Sequence, residues 1–378
     1  MWAVAAIGGI LVMVTGELTP EAAGGVLLRL APILVFLVAV TVLAELADAS
    51  GLFDVTAREC AHWGRGSTLR LWLMVVGLAS LATILLSLDT TAVLLTPVVL
   101  SLARQLGLPP IGFAMTTVWL ANTASLLLPV SNLTNLLAQD SLGFTTRHFA
   151  GHSWAAALAA IAMTVGVLGV RYRATWRTTY EVPPAPRIAD RALFVTAAVA
   201  CLALGPLAIA GLPVAWDASI LALVLVAGFV VRRRDVLTVS LVPWRLVVLV
   251  VGLFLVVAAG HAHGLDDLLA RLTGSGDDLL ALLHLSGVAT VGANLVNNLP
   301  AYAALEPTAG SVPRTFALLV GVNAGPLVLL WGSLATLLWR ERCRARGVDV
   351  GWREFATTGL VGVPLVVVAS TVALSLTS

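Results

Sequence analysis

The sequence SLDTTAVLLTP, at residues 87–97, places a carboxylate and several hydroxyl groups in the middle of a long apolar stretch. That stretch covers residues 67–103 and is too long for one membrane-spanning helix of about 20 residues. A second apolar stretch, 279–308, is interrupted in the same way by the sequence NNLP at residues 297–300. Interrupted chain at membrane depth is tolerated only where it is buried in protein or lines a cavity. We therefore predict that both stretches are re-entrant hairpins.

The composition is that of a membrane protein along the whole chain. Of the 378 residues, 59% are hydrophobic and only 11% are charged, and the mean hydropathy is +0.98. A soluble domain of this length carries more charge, so we predict an all-α polytopic membrane protein. About nine further stretches approach the length of a full span. They are residues 1–16, 24–46, 112–138, 149–170, 191–210, 215–231, 244–260, 314–339 and 355–376.

The distribution of arginine predicts the orientation in the membrane. With the N-terminus in the cytoplasm and each hairpin entering and leaving on one side, most arginines fall inside, as the positive-inside rule predicts. Treating either hairpin as a simple crossing places an arginine cluster outside. We therefore expect a multi-pass protein of the inner (plasma) membrane with a cytoplasmic N-terminus. The first apolar stretch lacks the basic region and cleavage site of a signal peptide, so we expect it to be retained.

The two halves of the chain resemble each other in the order of their elements. A short amphipathic segment precedes each hairpin, beginning at Gly51 and at Gly264, and is predicted to lie in the membrane interface as an arm. A broken helix follows each hairpin. Residues 121–137 of the first broken helix align with residues 322–338 of the second without a gap. The chain is therefore predicted to contain an internal repeat.

The predicted domain boundaries follow from this repeat. Segment 24–46 runs inward in the predicted topology and its counterpart 244–260 runs outward, so the repeats are inverted, as in many secondary transporters. The Pro-rich segment 171–190 is predicted to be a cytoplasmic linker. The units are the first span and external loop (1–23), repeat 1 (24–170, with hairpin 67–103 and broken helix 112–138), the linker (171–190), a connecting span pair (191–243) and repeat 2 (244–378, with hairpin 279–308 and broken helix 314–339).

All seven asparagines of the chain fall in the hairpin tips and in the broken helices. An unpaired amide in hydrocarbon costs several kcal/mol, and polar groups inside a membrane mark substrate and ion pathways. These side chains either line a binding site or satisfy backbone groups freed where the helices break, and both roles can hold at once. The predicted substrate- or ion-binding residues are Asn122, Thr123, Ser131, Asn132, Thr134, Asn135, Asn297, Asn298, Asn323, Ser333 and Thr336.

Asp89 is the carboxylate that this topology places near the middle of the membrane. An ionisable group at that depth is a functional candidate, so we predict that Asp89 binds the proton or cation coupled to transport. The alternative is that Asp89 caps the second arm of its hairpin through the N–H groups that follow it.

Catalytic and metal-binding patterns are absent from the sequence. The three cysteines, Cys60, Cys201 and Cys343, lie far apart and have no metal-type spacing. The chain also lacks a nucleophile elbow and a Walker-type phosphate loop. We therefore predict no catalytic residue, no metal site and no cofactor. A membrane-embedded enzyme and a channel subunit are the less favoured alternatives to a transporter.

Five short sequences around the hairpins and broken helices carry a resemblance to a known family. They are residues 87–97, 121–125 and 130–135 in the first half, and 297–300 and 332–339 in the second. These sequences resemble the bacterial arsenite/antimonite permeases, the arsenical pump membrane proteins of the ion-transporter superfamily. The resemblance implies efflux of trivalent arsenic or antimony, by proton exchange or with a separate ATPase subunit. It also implies an elevator motion of the hairpins and broken helices against a scaffold.

The polar groups favour arsenite among the substrates of this superfamily. Arsenous acid is neutral at pH 7, and amide and hydroxyl groups can bind it. A carrier of carboxylates would require a cationic group near a break, but no arginine lies near either one in the sequence. Sodium/proton exchange usually needs several buried carboxylates, and Asp89 alone is weak evidence for it. A sodium- or proton-coupled carrier of another small ion or carboxylate stays open as the alternative. The expected partners are the lipid bilayer, the small inorganic solute and a coupling proton or cation, without nucleic acid; an ATPase subunit and a homodimer are left open.

Overall fold

The fold is helical throughout the described residues of the computed structural model, which are 2–184, 187–210 and 213–377. Among these residues, eight helices are long and apolar enough to cross a membrane. The prediction of an all-α, multi-pass membrane protein is therefore confirmed. Two residues of the predicted linker, Ala185 and Pro186, lie outside the described residues.

The described residues form helices in both halves of the chain. In the first half they are α1 (Trp2–Val14), α2 (Pro20–Ala49), α3 (Leu52–Trp63), α4 (Thr68–Leu85), α5 (Leu88–Thr90), α6 (Thr96–Gln105), α7 (Pro110–Thr123), α8 (Leu133–Leu142), α9 (Thr146–Arg171) and α10 (Arg173–Trp176). In the second half they are α11 (Arg191–Ala210), α12 (Val214–Arg232), α13 (Trp244–Ala262), α14 (Leu265–Thr273), α15 (Leu279–Val296), α16 (Asn298–Leu305), α17 (Val312–Ala324), α18 (Leu334–Ala345) and α19 (Trp352–Ser375). A π-helical turn covers Thr91–Leu95, and 3₁₀ turns cover Ala124–Leu126, Pro129–Ser131, Arg234–Val236, Val239–Leu241 and Glu306–Thr308.

Six of the nine predicted spans are single long helices: α2, α9, α11, α12, α13 and α19. The other three are not single long helices. The segment 1–16 contains only α1, with 13 residues. The segment 112–138 is divided into α7 and α8, and the segment 314–339 into α17 and α18, which matches their description as broken helices. Pro129 lies in the first break and cannot donate a backbone hydrogen bond, which favours interruption of the helix there.

The first hairpin consists of α4, a turn at Leu86 and Ser87, and the returning segment α5, the π-helical turn and α6. Its first arm, α4, has 18 residues and is about 27 Å long. The returning segment lies against this arm, because Thr91 Oγ1 is 2.8 Å from Thr83 Oγ1. A π-helical turn directly after Asp89 is a common sign of a functional site.

The second hairpin consists of α15, a turn at Asn297, and the returning α16. Its first arm also has 18 residues. Ser311 Oγ, after the hairpin, donates a hydrogen bond to Asp277 Oδ1, before it, at 2.6 Å. The chain therefore enters and leaves this hairpin on the same face of the molecule. Both predicted stretches thus form helical hairpins, and their re-entry into the membrane stays a prediction.

Contacts between the ends of the elements define two faces of the molecule. The arginine-rich face is held by the residue pairs Ala49–Arg233, Thr68–Thr178, Ser101–Arg346 and Arg171–Glu354. The opposite face is held by the pairs Arg29–Asp140, Arg29–Glu306, Glu17–His263 and Asp277–Ser311. Helix α2 runs between the two faces, from near Arg29 to Ala49. The first hairpin has its ends on the arginine-rich face, and the second has its ends on the opposite face.

Small residues bring the helices of the second half close together. Gly321 on α17 lies against α15, where an added Cβ atom would lie 2.4 Å from the carbonyl oxygen of Ser286. Such close backbone approach is typical of helix packing in membranes. The contact places the end of α17, with Asn323, next to the hairpin.

Candidate functional site

Asn323, near the end of α17, joins the two broken helices. Its Oδ1 accepts hydrogen bonds from Asn132 Nδ2 at 2.9 Å and from Thr134 Oγ1 at 2.7 Å. Its Nδ2 donates to Asn135 Oδ1 at 2.7 Å. Asn323 is 0% exposed, and the other three side chains are buried as well. Both the oxygen and the nitrogen of the Asn323 amide are hydrogen-bonded, and such a network is favourable in a low-dielectric interior. The network therefore holds α17 against α8.

The first break uses polar side chains to satisfy freed backbone groups. Asn135 Nδ2 donates to the carbonyl oxygens of Ser125 and Leu128, at 2.6 and 2.9 Å. Ser131 Oγ donates to the carbonyl oxygen of Ile84 at 2.9 Å, which attaches the break to the first hairpin. Asn135 and Ser131 thus satisfy backbone groups freed by the break, which is one of the two roles predicted for these polar residues.

Asn122 and Thr123 lie on α7, just ahead of the first break. Asn122 Nδ2 donates to the carbonyl oxygen of Val118, and Thr123 Oγ1 donates to that of Trp119, both at 2.9 Å. These bonds stay within the helix. The Oδ1 of Asn122 is buried and has no hydrogen-bond partner among the described residues.

The second break is held by asparagines of the second hairpin. Asn294 Nδ2 donates to the carbonyl oxygen of Gly325 at 2.9 Å, and its Oδ1 accepts from the backbone N–H of Leu329 at 2.9 Å. Asn297 Nδ2 donates to the carbonyl oxygen of Trp331 at 2.9 Å. Asn294 was missing from the predicted set, although its presence among the clustered asparagines was a usable signal.

Serine side chains cap the two helices that begin inside the molecule. Ser333 Oγ accepts from the backbone N–H of Thr336 at 3.1 Å and starts α18. Ser87 Oγ accepts from that of Thr90 at 3.2 Å and starts α5. The alternative that Asp89 caps this arm is therefore wrong, because Ser87 does so. In the part of the chain that the structure describes, Asp89 Oδ1 has no hydrogen-bond partner.

A central cavity of about 50 Å³ lies between the hairpin tips, the first break, α2 and α13. A cavity of this size holds a few waters or one small solute. The polar side chains that line it are Ser87, Asp89, Asn132 and Asn298. The remaining lining residues are apolar, and none of the described lining residues is cationic.

Two larger openings adjoin the central cavity on its two sides. The Arg342 vestibule, of about 430 Å³, includes Glu45, Arg245 and Arg342 in its lining. It shares Ser87, Asp89, Leu246 and Leu334 with the central cavity. The Asp140 vestibule, of about 350 Å³, shares Phe36 and Leu136 with the central cavity. Asp89 therefore lies where the central cavity meets the Arg342 vestibule.

The structure brings three of the predicted site residues to the central cavity: Asp89, Asn132 and Asn298. The other predicted binding residues are not among the cavity's lining residues and bond to protein groups near the breaks; they are Asn122, Thr123, Ser131, Thr134, Asn135, Asn297, Asn323, Ser333 and Thr336. The binding role of every residue in the set stays a prediction.

Sequence reasoning missed the arginines that line the Arg342 vestibule. None of the described residues that line the central cavity at the breaks is an arginine, but Arg245 and Arg342 line the adjoining vestibule. Leu334, Leu338 and Arg342 lie four residues apart on α18, and all three line the vestibule. This helical spacing was the signal that could have found Arg342.

The Cys60 thiol and the possible metal ligands are a separate matter from the polar residues at the breaks. Burial raises the pKa of Cys60, on the interfacial helix α3, to about 11, so this thiol is protonated at neutral pH. Among the described residues, no group of three His, Cys, Asp or Glu side chains is placed to hold a metal ion.

Comparison with known proteins identifies the family. The family model described as citrate transporter matches residues 1–336. The chain belongs to the citrate transporter family. The arsenical pump membrane protein of Yersinia enterocolitica is 32% identical over 357 residues, covering 86% of this chain and 81% of that protein. The arsenical pump membrane protein of Escherichia coli K12 is 30% identical over 388 residues, covering 94% and 89%. The resemblance to arsenical pump membrane proteins is therefore confirmed.

A solved structure supports the architecture. The YdaH transporter of Alcanivorax borkumensis aligns with a TM-score of 0.61 over 95% of this chain and 89% of that chain, at 17% sequence identity. At this identity the likeness establishes the fold. The family and the relatives together indicate a membrane transport protein for small ions rather than an enzyme.

Proposed function

We propose that the protein is a secondary active transporter that exports trivalent arsenic or antimony in exchange for protons. The observation that carries this proposal is the lining of the central cavity, where Asp89 meets neutral hydroxyl and amide groups without a cationic side chain. Arsenous acid is a small, neutral, hydroxylic solute at pH 7, and such groups can bind it. The relatives named arsenical pump membrane proteins point to the same substrate class.

Asp89 is the proposed coupling residue. Its Oδ1 is buried without a hydrogen-bond partner among the described residues, and the residue lines both the cavity and the Arg342 vestibule, from which a proton would reach it. When solute and proton compete for one site, binding of either excludes the other, and exchange follows. Neither a cofactor nor a catalytic residue takes part, so the protein is proposed not to be an enzyme.

The proposed motion is an elevator movement of the hairpins and broken helices along α2 and α13. The central cavity lies between these two groups of elements, with side chains from both. In this proposal, residues 24–170 and 244–378 form inverted repeats. The protein lies in the inner membrane, with its arginine-rich face toward the cytoplasm. The N-terminus is then cytoplasmic.

A carrier of another small ion or a carboxylate is the second candidate. The matching family model is described as citrate transporter, and Arg245 and Arg342 line the vestibule that leads to the cavity. Basic residues at the mouth of a cleft raise the local concentration of anions. A carboxylate that reaches the cavity itself, however, meets Asp89 without a cationic partner, so this candidate ranks second.

Uptake into everted membrane vesicles tests the proposal. We expect uptake of trivalent arsenic that depends on a proton gradient in the unchanged protein and is lost in Asp89→Asn. Asp217→Asn is the matched control, since Asp217 is a buried carboxylate on α12 that lines neither the central cavity nor either vestibule.

Each outcome of this assay decides between the candidates. Gradient-driven uptake of citrate, without uptake of arsenic, would favour the carboxylate carrier. Arsenic uptake that survives in Asp89→Asn would remove Asp89 from coupling. Equal loss in Asp89→Asn and Asp217→Asn would point to a general need for buried carboxylates in folding, which the amount of protein in the membrane would reveal.

A further inference from the structure

Helices α2 and α8 face each other with two matched layers of side chains. On α2, Arg29 and Phe36 are seven residues apart and so lie two turns apart on one face. On α8, Leu136 and Asp140 are four residues apart and lie one turn apart on one face. Arg29 lies opposite Asp140, and Phe36 and Leu136 line the same two cavities.

The first layer is a set of ion pairs at the opposite face. Arg29 Nη2 donates to Glu306 Oε1 at 2.7 Å, and Arg29 Nε donates to Asp140 Oδ2 at 3.4 Å. Glu306 follows the second hairpin, and its side chain is only 10% exposed. Tyr302 OH also donates to Glu306 Oε1, at 3.2 Å. One arginine of α2 therefore holds both α8 and the second hairpin.

The second layer is apolar and lies deeper. Phe36 and Leu136 are 3% and 5% exposed, and both line the central cavity and the Asp140 vestibule. Their side chains therefore form the boundary between these two spaces. On the other side of the cavity, the boundary with the Arg342 vestibule includes the polar side chains of Ser87 and Asp89.

We infer that these two layers form a gate that closes the central cavity toward the opposite face. The gate consists of the apolar pair Phe36 and Leu136, covered by the ion pairs of Arg29 with Asp140 and Glu306. An apolar constriction excludes hydrated ions and polar solutes because it cannot replace their hydrogen bonds to water. The inference rests on the proposed transport function, because only a transporter needs a cavity that opens to each side in turn.

The gate also defines what must move when it opens. One side of both layers belongs to α2, and the other side belongs to α8 and the second hairpin. Opening toward the opposite face therefore requires α2 to separate from both of these elements together. The ion pairs must break, and the apolar pair must part, before Asp89 can be reached from that face.

Accessibility of an introduced cysteine tests the gate without any transported substrate. In a full-length protein with Cys60, Cys201 and Cys343 changed to alanine, Val40→Cys places a thiol in the central cavity, one turn beyond Phe36. A small, charged methanethiosulfonate is applied from either side of the membrane. Gln139→Cys in the Asp140 vestibule and Leu338→Cys in the Arg342 vestibule identify the two sides.

We expect the thiol of Val40→Cys to react only from the side that labels Leu338→Cys. Adding Phe36→Ala is expected to make it react from the Gln139 side as well, at a rate at least tenfold above the parent. Arg29→Gln is expected to raise that rate by about two- to fivefold, because partly exposed ion pairs are individually weak. Val35→Ala is the matched control, because Val35 is 52% exposed and points away from the cavity.

Two results would overturn the gate. One is a parent protein in which the Val40→Cys thiol reacts equally from both sides. The other is a thiol that still reacts from one side only in well-folded Phe36→Ala. If Phe36→Ala does not fold, Leu136→Ala is tested in its place. Because labelling needs no solute, a failed arsenic assay together with this labelling pattern would reject the substrate and keep the gate.

Discussion

Asn297 illustrates how a single residue can combine strain with a specific bond. Its φ of 89° lies in the region that favours glycine. The side chain donates to the carbonyl oxygen of Trp331, which fixes the turn of the second hairpin against the second break. Strain of this kind persists only where the surroundings impose it, and it concentrates at functional sites.

The strain at Asn297 can be separated from its hydrogen bond. Asn297→Ala and Asn297→Gly both remove the bond, but only glycine relieves the backbone. We therefore expect Asn297→Ala to be the less stable variant, by about 1 kcal/mol. The measurement is the thermal unfolding midpoint of each purified protein in the same detergent. An alanine variant as stable as the glycine variant would contradict the strain.

Cys60 offers a residue-scale prediction of pH dependence. With its pKa raised to about 11 by burial, about one thiol in a thousand is ionised at pH 8, against about one in four for an ordinary thiol. We expect its alkylation rate in the folded protein to rise about tenfold per pH unit from pH 7 to 10. Mass spectrometry of iodoacetamide-treated Cys201→Ala/Cys343→Ala protein measures this rate. A plateau below pH 9 would contradict the raised pKa.

At the scale of elements, the two broken helices depend on each other. The side chain of Asn323 on α17 satisfies groups on α8, while the second break is held by the second hairpin. Each break is held by side chains of its own half, and Asn323 joins the two breaks to each other. This coupling gives a physical reason for the two broken helices to move as one unit in the proposed elevator motion.

Truncating Asn323 tests this coupling between elements. Asn323→Ala leaves the buried polar groups of Asn132, Thr134 and Asn135 without their partner, at about 1–3 kcal/mol for each unsatisfied group. The matched variant Asn122→Ala removes an equally buried amide whose one bond is within its own helix. We expect the thermal midpoint to fall much further in Asn323→Ala. Equal shifts would mean that the network does not join the two helices.

At the scale of the whole molecule, the two hairpins open onto different faces. Arginine is concentrated on one face, and the positive-inside rule assigns that face to the cytoplasm. An arrangement with one hairpin entering from each face brings both hairpin tips to the central cavity, which suits the proposed alternating access.

Cysteine labelling in the full chain tests this arrangement. Ser275→Cys and Pro307→Cys stand on either side of the second hairpin and are both exposed. We expect a membrane-impermeant maleimide to reach both from outside intact cells, and to reach Arg173→Cys, on the arginine-rich face, only after the cells are opened. Labelling of Ser275→Cys and Pro307→Cys from different sides would show that this segment crosses the membrane and is not a re-entrant hairpin.

The membrane class, the hairpins and the breaks could be predicted from the amino-acid sequence. These features depend on local composition, because a polar interruption in an apolar stretch cannot face lipid wherever the rest of the chain lies. The clustering of asparagine also predicted the region of the candidate site. The sequence did not predict the length of the first helix, since α1 has 13 residues and ends at Val14, where Thr15, Gly16 and Glu17 follow.

Long-range packing determines which of the clustered polar residues face the cavity and which bond to the backbone. The reason is distance along the chain: Asn132 bonds to Asn323 across 191 residues, and Arg29 to Glu306 across 277. Side chains one turn apart on a helix can face a cavity or a neighbouring helix, and their own sequence does not specify which. That choice is made by the packing of α2, α8 and the second hairpin around the central cavity, which left Asp89 facing it without a partner among the described residues.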